Sequence, residues 1–467
     1  MIAPKPPARE GRVSLWRYLW LFRADILSAQ PARLYRARMA EFRTPFFRSF
    51  LINEPDLIDL VLKGRPDDFP KSERITEGLA PLLGRSVFVT NGAEWRQQRR
   101  IIDPAFEGGR LREVFPAMRA AAGAAVARMA EGEVELEAFC AHAAADVIFR
   151  ALFSVPIEDE AATAVFRAFR AHQRAQPILN LAALLPLPRW VPRLHRRRTL
   201  ATARQIRALI GRLTGDRAAA IAAGSAPDDL ATRIMTTPDP ETGRCFDAAE
   251  MADQVAIFFL AGHETSASAL AWALWLLAAD PQAQEKAAAE ARAIGRIPEF
   301  SDLARLPFTR DVFREALRLY PPVPMMVRQA ARAERFRDRP APPGSQVVIS
   351  PWHLHRHERH WARPDEFAPD RWQTAEGRES ARAAYLPFSA GPRVCPGAGF
   401  AMAEGVLMLA AILGRFRLTS GKGPIPVPVA FLTVRAQSGL WIEVAERGNG
   451  NEFNTKNWGL HPRSAIK

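Results

Sequence analysis

The sequence predicts a mainly α fold with a minor β portion, and two observations carry that expectation. Long runs rich in Ala, Leu, Arg and Glu favour helix, whereas strand-like stretches are few and short. With 467 residues, 48% of them hydrophobic, the chain is long enough to bury a large core. At the N-terminus, "MIAPKPPAREGRVSLWRYLWLFRADILSA" sets an apolar patch behind basic residues, but Arg17 and Arg23 interrupt it. That stretch is too short and too charged to span a bilayer and lacks a small-residue cleavage site. Trp16, Leu19, Trp20 and Leu21 then read either as the packing face of an amphipathic helix or as a shallow, peripheral membrane contact. "FRSFLIN" from Phe47, "SQVVIS" from Ser345 and "PVAFLTV" around Val429 read as strands, and 119–130 and 199–223 as alanine-rich helices.

The most informative helix is "FDAAEMADQVAIFFLAGHETSASALAWALWLLAADP". Asp247 and Glu250 suit a capping box, and Asp280 before Pro281 closes the helix. Being apolar nearly all round, it should run buried through the core, yet "GHET" puts Gly262, His263, Glu264 and Thr265 at its middle. A buried carboxylate and hydroxyl are costly unless they are partnered or used. One domain is expected over 1–446. After Glu446 the composition turns to Asn, Gly and Lys, so 447–467 is predicted to be a disordered tail.

A formal charge of +14 suits an anionic surface, nucleic acid or an acidic protein. The arginines are scattered and no nucleic-acid-binding motif accompanies them, so no nucleic acid partner is expected. Three cysteines, Cys140, Cys245 and Cys395, lie far apart without a CxxC, which argues against a disulfide framework and for a reducing, cytoplasmic location.

"FSAGPRVCPGAGFA", from Phe388, places a lone cysteine among an arginine, prolines and glycines. Glycine is kept where the backbone turns unusually or passes close to something, so this stretch reads as a site. Upstream, "EALR" sets Glu315 and Arg318 on one helix face, and "FAPDRW" follows in a proline-rich stretch. The group His353, His355, His357 and His360 looks metal-like by composition.

Taken together and in this order, "AGHET", "EALR", "FAPDRW" and "FSAGPRVCPG" resemble the cytochrome P-450 superfamily of haem-thiolate monooxygenases, in its soluble bacterial form. The resemblance implies a P-450 fold with haem b, iron protoporphyrin IX, between the long central helix and the cysteine loop. It implies Cys395 as the axial iron ligand, Phe388 beside the sulfur, close backbone approach at Gly391 and Gly397, and Arg393 on a propionate. Pro396 would sit in the first turn of the next helix, whose dipole favours the thiolate. "WRQQRR" resembles the family's Trp-x-x-x-Arg helix, so Trp95 and Arg99 would reach propionates, and Arg328 matches a further propionate-binding position. Glu315, Arg318 and Arg371 resemble a buried structural cluster. Glu264 and Thr265 match the catalytic acid-alcohol pair that delivers protons to dioxygen. His263 is expected to pack, and the His353–His360 group falls on a connecting segment, so metal binding there is not expected.

The resemblance further implies a monooxygenase that draws electrons from a ferredoxin or flavodoxin with its NAD(P)H reductase. Arg96, Arg99, Arg100 and Arg110 are candidates for the docking face. The loop around "ERITEGLAPLLGRSVF", the helix wall at Phe258, Phe259 and Ala261, and 323–327 would line a pocket for a hydrophobic organic substrate: a fatty acid, terpenoid or steroid-like compound. The segment from Ile178 reads as a lid near the access channel or as an ordinary surface loop. A peroxide-driven haem-thiolate enzyme and a non-catalytic haem sensor or carrier are the alternatives.

Overall fold

A computed structural model describes residues 1–11, 13–43, 47–107, 109–175, 197–430 and 432–448. The lid segment 178–196 and most of the expected tail, 449–467, lie outside the described residues. The principal helices are α1 (Leu15–Ala24), α2 (Glu73–Leu83), α3 (Gly92–Ile102), α4 (Arg110–Arg128), α5 (Leu136–Phe153), α6 (Glu160–Ala175), α7 (Arg197–Ala222), α8 (Ala248–Ala279), α9 (Pro281–Ile294), α10 (Pro307–Leu319) and α11 (Ala398–Arg415). The strands that bear on the site are β1 (Met39–Arg43), β2 (Arg48–Ile52), β3 (Gly132–Glu135), β4 (Met326–Gln329), β5 (Gln346–Ile349), β6 (Phe416–Ser420), β7 (Pro428–Ala430), β8 (Val434–Ala436) and β9 (Trp441–Glu446). One sheet has the order β1-β2-β5-β4, with β2 and β5 parallel. A second has the order β3-β9-β6, and β7 pairs with β8 as a hairpin.

The expected mainly α class is what the chain adopts. Two stretches differ in detail. "PVAFLTV" is split across a turn into the first strand and the start of the second strand of the β7–β8 hairpin, because an apolar run does not reveal where it reverses. "ERITEGLAPLL" forms helix α2 rather than a loop.

Helix α8 spans 32 residues, about 48 Å. Its expected capping box is present: the Glu250 amide donates to Asp247 Oδ1 at 2.7 Å, and the Asp247 amide donates to Glu250 Oε2 at 3.1 Å. The helix belongs to two hydrophobic cores at once. Its first half, from Met251 to Leu260, packs with α2, α3, α5, α6 and α7. Its second half, from Ala267 to Ala278, packs with α4, α5, α9, α10 and α11, where Trp272 stacks on Tyr320 with ring centroids 3.8 Å apart. Residues 261–266 fall between these cores, and Ala261 is exposed in the middle of an otherwise buried helix. The packing that buries both ends thus leaves Ala261 exposed and Thr265 half-exposed, while His263 and Glu264 of the same turn are buried.

Trp16 and Trp20 do not serve as a packing face. They stand 82% and 68% exposed on α1, on the same side as Arg23. Among the described residues one helix, α11, is long and apolar enough to cross a membrane, and it is two-thirds buried in the core.

Candidate active site

The cysteine loop closes on itself through the Cys395 amide, which donates to the Phe388 carbonyl at 2.9 Å. Gly391 has φ +68°, and a Cβ there would meet the Leu62 carbonyl oxygen at 2.0 Å, so both backbone conformation and clearance demand glycine. Gly397 is different. A Cβ on it would lie 3.9 Å from the Cys395 sulfur, an ordinary contact, so nothing among the described residues requires glycine for clearance at that position. Helix α11 begins at Ala398 with Gly397 as its cap, so Pro396 precedes the helix rather than occupying its first turn. Cys395 stays accessible on one side although the surrounding protein pushes its thiol pKa up; the Gly397 amide and the Arg99 charge act in the opposite direction.

Beside this loop a group of cations converges on one aromatic ring. The charged ends of Arg393, Lys71 and Arg99 lie 4.8, 5.6 and 5.9 Å from the centroid of the buried Trp95. Arg99 Nη1 donates to the Val394 carbonyl at 2.8 Å, and its Nε lies 2.6 Å from Asp103. Arg393 Nη1 donates to the Pro66 carbonyl at 2.7 Å, but its Nε is buried without an acceptor among the described residues. Arg328, on β4, is buried next to Lys71. Burial, then the nearby Arg393, pushes Arg328 down to about 10. Burial, then Arg328, Arg393 and Arg99, pushes Lys71 down to about 6, and its Nζ donates to the carbonyls of Val87 and Thr90.

Neither Lys71 nor Arg328 meets a carboxylate among the described residues. Such a cluster, with an orphaned guanidinium nitrogen, fits a dianionic group like the two propionates of haem. Lys71 carries no local signature and was not singled out from sequence. Lys71→Met is therefore expected to loosen haem roughly tenfold while leaving the thermal midpoint of the haem-free chain unchanged or raised, because it removes a buried amine whose charging the fold opposes and which has no anionic partner among the described residues. Haem transfer to apomyoglobin and thermal scans of the haem-free protein measure the two effects. From pH 6 to 10 the unfolded chain holds a proton on Lys71 that the fold has shed, so this position makes stability rise with pH, a slope absent from the variant.

On α8, the Thr265 hydroxyl donates to the Ala261 carbonyl one turn back, and both residues lie on the open stripe. Glu264 turns the other way. It is buried, and it accepts hydrogen bonds from Thr433 Oγ1 at 2.8 Å, Arg435 Nη2 at 2.7 Å and Gln173 Nε2 at 2.8 Å. It thereby ties the β7–β8 hairpin to α8, helped by Ser268 Oγ, which donates to the Val434 carbonyl at 2.6 Å. The adjacent Leu432 is exposed.

One expectation about the walls is corrected. Phe259 is 1% exposed and packs among Phe149, Phe169 and His263, so it belongs to the core and not to a pocket. Ala261 is the exposed member of that stretch, and Phe88 and Val323 are exposed as well. His263 is buried, with Nδ1 on the Phe259 carbonyl at 3.0 Å, as a packing role requires. The four downstream histidines are each bonded separately. Their partners are Ser350 for His353, Arg318 and Leu386 for His355, Ala37 for His357 and Asn53 for His360. The arginines expected to form a docking face already carry partners: Asp67 on Arg96, Asp103 on Arg99, Asp239 and Glu241 on Arg100, and Glu113 on Arg110.

Glu315 holds the predicted cluster together. Arg318 donates to it twice, at 2.8 and 2.9 Å, and Arg371 donates at 2.9 Å, with all three side chains buried.

A model of the family described as cytochrome P-450 matches residues 39–439. Cyclooctatin synthase of Streptomyces melanosporofaciens is 35% identical over 374 residues, covering 78% of this chain and 78% of that protein. Cyclooctat-9-en-7-ol 5-monooxygenase of the same organism is 32% identical over 416 residues, covering 87% of each. The crystal structure of the cytochrome P450DA heme domain superposes with a TM-score of 0.77 at 24% identity, covering 95% of this chain and 98% of that one, which shows a shared fold. An accessible thiol in a glycine-bearing loop beside a cation cluster, in a chain matched along most of its length by one family, leads to one conclusion: the chain belongs to the cytochrome P-450 family of haem-dependent monooxygenases.

Proposed function

We propose that the protein inserts one oxygen atom of O2 into a hydrophobic organic substrate, with Cys395 holding the haem iron and Thr265 working on the opposite face. Haem, when bound, supplies the reduction and cleavage of dioxygen. Overall, a C–H bond, O2, two electrons and two protons give an alcohol and water. The observation that supports the residue roles is that Cys395 is accessible in its loop, beside cations suited to propionates, and that Thr265 is half-exposed on the central helix.

The remaining roles follow from position. Arg393, Arg99, Arg328, Lys71 and the Trp95 ring bind and orient the propionates, Phe388 shields the sulfur, and Gly391 lets the loop pass Leu62. The Thr265 hydroxyl leaves its Ala261 acceptor to hold water and guide protons toward the substrate side. Glu264 feeds protons to that turn from the hairpin side, where Arg435 and Thr433 hold its carboxylate. Ala261, Phe88, Val323 and Leu432 give the pocket an apolar wall. Of the fatty acid, terpenoid and steroid-like classes, a cyclic terpenoid-like alcohol is the reading we prefer. The name of a 32% identical relative describes an unsaturated cyclic alcohol oxidised at carbon 5.

Electrons come from a ferredoxin or flavodoxin with its NAD(P)H reductase, and the net charge of +14 supports an acidic carrier. The domain spans 1–446, the protein is cytoplasmic, and the exposed Trp16 and Trp20 beside Arg17 and Arg23 support peripheral contact with an anionic membrane. Flotation with phosphatidylglycerol vesicles, lost in Trp16→Ser/Trp20→Ser, is the expected result for that contact, and parent-like flotation of the variant refutes it.

Optical titration of the ferric protein with fatty acids, terpenoid alcohols and steroids tests the main reading. A saturable low-spin to high-spin shift is expected first with the terpenoid alcohols. A haem spectrum without any shift moves the assignment toward a sensor or carrier, and no haem spectrum overturns the role of Cys395.

A further inference from the structure

Glu404 is a buried carboxyl on α11 that the proposed chemistry leaves unused. Ser266, the residue after Thr265 on α8, donates to its Oε2 at 2.6 Å, and among the described residues no cation pairs with it. A titratable neighbour is the buried Cys140 thiol of α5, which burial holds well above its ordinary range. Burial pushes Glu404 up to about 8, so at neutral pH the group is protonated. A hydrogen-bonded neutral carboxyl sits in an apolar interior at far lower cost than a carboxylate does.

The following residue fixes where Glu404 stands. A Cβ on Gly405 would come within 2.3 Å of the Phe313 ring on α10, so α11 lies flush against α10 at this step and has no room to slide. On the other side of the contact is the turn of α8 that falls between the two cores.

We propose that Glu404 is a positioning residue for the oxidation: its hydrogen bond with Ser266 sets the Thr265 turn of α8 relative to the helix that follows Cys395. The inference rests on the roles given above to Cys395 and Thr265. One side-chain bond joins the alcohol-bearing wall to the thiolate-bearing element, and a misplacement of order 1 Å between reacting groups is costly. A buttress for the fold alone would change stability without changing how reducing equivalents are used.

The test compares haem-loaded Ser266→Ala, Glu404→Gln and Glu404→Leu with the parent. Amide hydrogen exchange is followed across 262–268. The fraction of reducing equivalents released as hydrogen peroxide is measured with a plant-type ferredoxin and its reductase, in the presence of whichever compound gives the largest spin-state shift. Glu404→Gln keeps an acceptor oxygen and is expected to stay within about twofold of the parent in both readouts, whereas Ser266→Ala and Glu404→Leu raise both roughly tenfold at unchanged haem content. In the infrared, the parent shows a protonated-carboxyl band that Ser266→Ala shifts and Glu404→Gln removes.

Parent-like exchange and peroxide release in Ser266→Ala overturn the proposal, even if Glu404→Leu loses haem, because Glu404 then serves the fold alone. Absence of the carboxyl band overturns it too. Failure of the haem-thiolate reading is distinguishable: the parent then has no haem spectrum, while exchange and infrared measurements stay readable.

Discussion

Glu315→Ala is expected to yield protein that retains little haem and has lost about 3–5 kcal/mol of stability, because it strands two buried guanidinium groups. Arg318 and Arg371 are held by Glu315, and they also donate to the carbonyls of His355, Ala362, Arg363, Pro364 and Glu366. The cluster therefore shapes the segment that leads into the cysteine loop. His355 carries the connection further: its Nδ1 bonds the Arg318 carbonyl at 3.3 Å, and its Nε2 accepts the Leu386 amide at 2.8 Å, two residues before Phe388. Burial holds that imidazole down to about 3, so it stays neutral and keeps both roles. The unfolded histidine takes up a proton near its ordinary pKa and the folded one does not, so stability from this position falls as pH drops from about 6.5 toward 3. Haem-to-protein ratio and thermal midpoint measure the effect of Glu315→Ala. Full haem occupancy would refute the assignment.

Thr265→Ala is expected to keep haem, fold and the ligand-induced spin shift, and to lower product formed per reduced nicotinamide roughly tenfold, with hydrogen peroxide accounting for the difference. The reason is local. Thr265 is the half-exposed hydroxyl of the turn that lies between the two cores, and its existing bond is to a carbonyl of its own helix, which water replaces at little cost. Glu264 next to it is held by three donors and is not free to stand in. Thr265→Ser restores a hydroxyl and is expected to recover most of the coupling. Unchanged coupling in Thr265→Ala would remove Thr265 from proton delivery.

What the sequence revealed depended on how far apart the cooperating residues lie along the chain. The cysteine loop is legible because its demands are contiguous: Phe388 closes it, Gly391 clears Leu62, and Cys395 faces outward within eight residues. The capping box of α8 is legible for the same reason. Lys71 was not, since a single lysine becomes informative only when Trp95, Arg328 and Arg393 fold around it. The pocket wall was partly misread because Phe259 and Ala261, two apart on a helix, point in different directions, and composition does not say which faces the core. The arginines from Arg96 to Arg110 look like a free basic face in one dimension, and their carboxylate partners come in part from residues as distant as Asp239.

The crowding of positive charge around Trp95 also bears on the life of the protein in a cell. Arg328 and Lys71, buried without a carboxylate among the described residues, weaken the fold until an anion joins them, and the species that has gained its cofactor is stabilised by mass action. Newly made chains would thus be sorted by whether they have been loaded: when haem is scarce, the unloaded chain opens more often and is the one that proteases remove. The abundance of this enzyme would then follow the supply of its prosthetic group without any dedicated regulator.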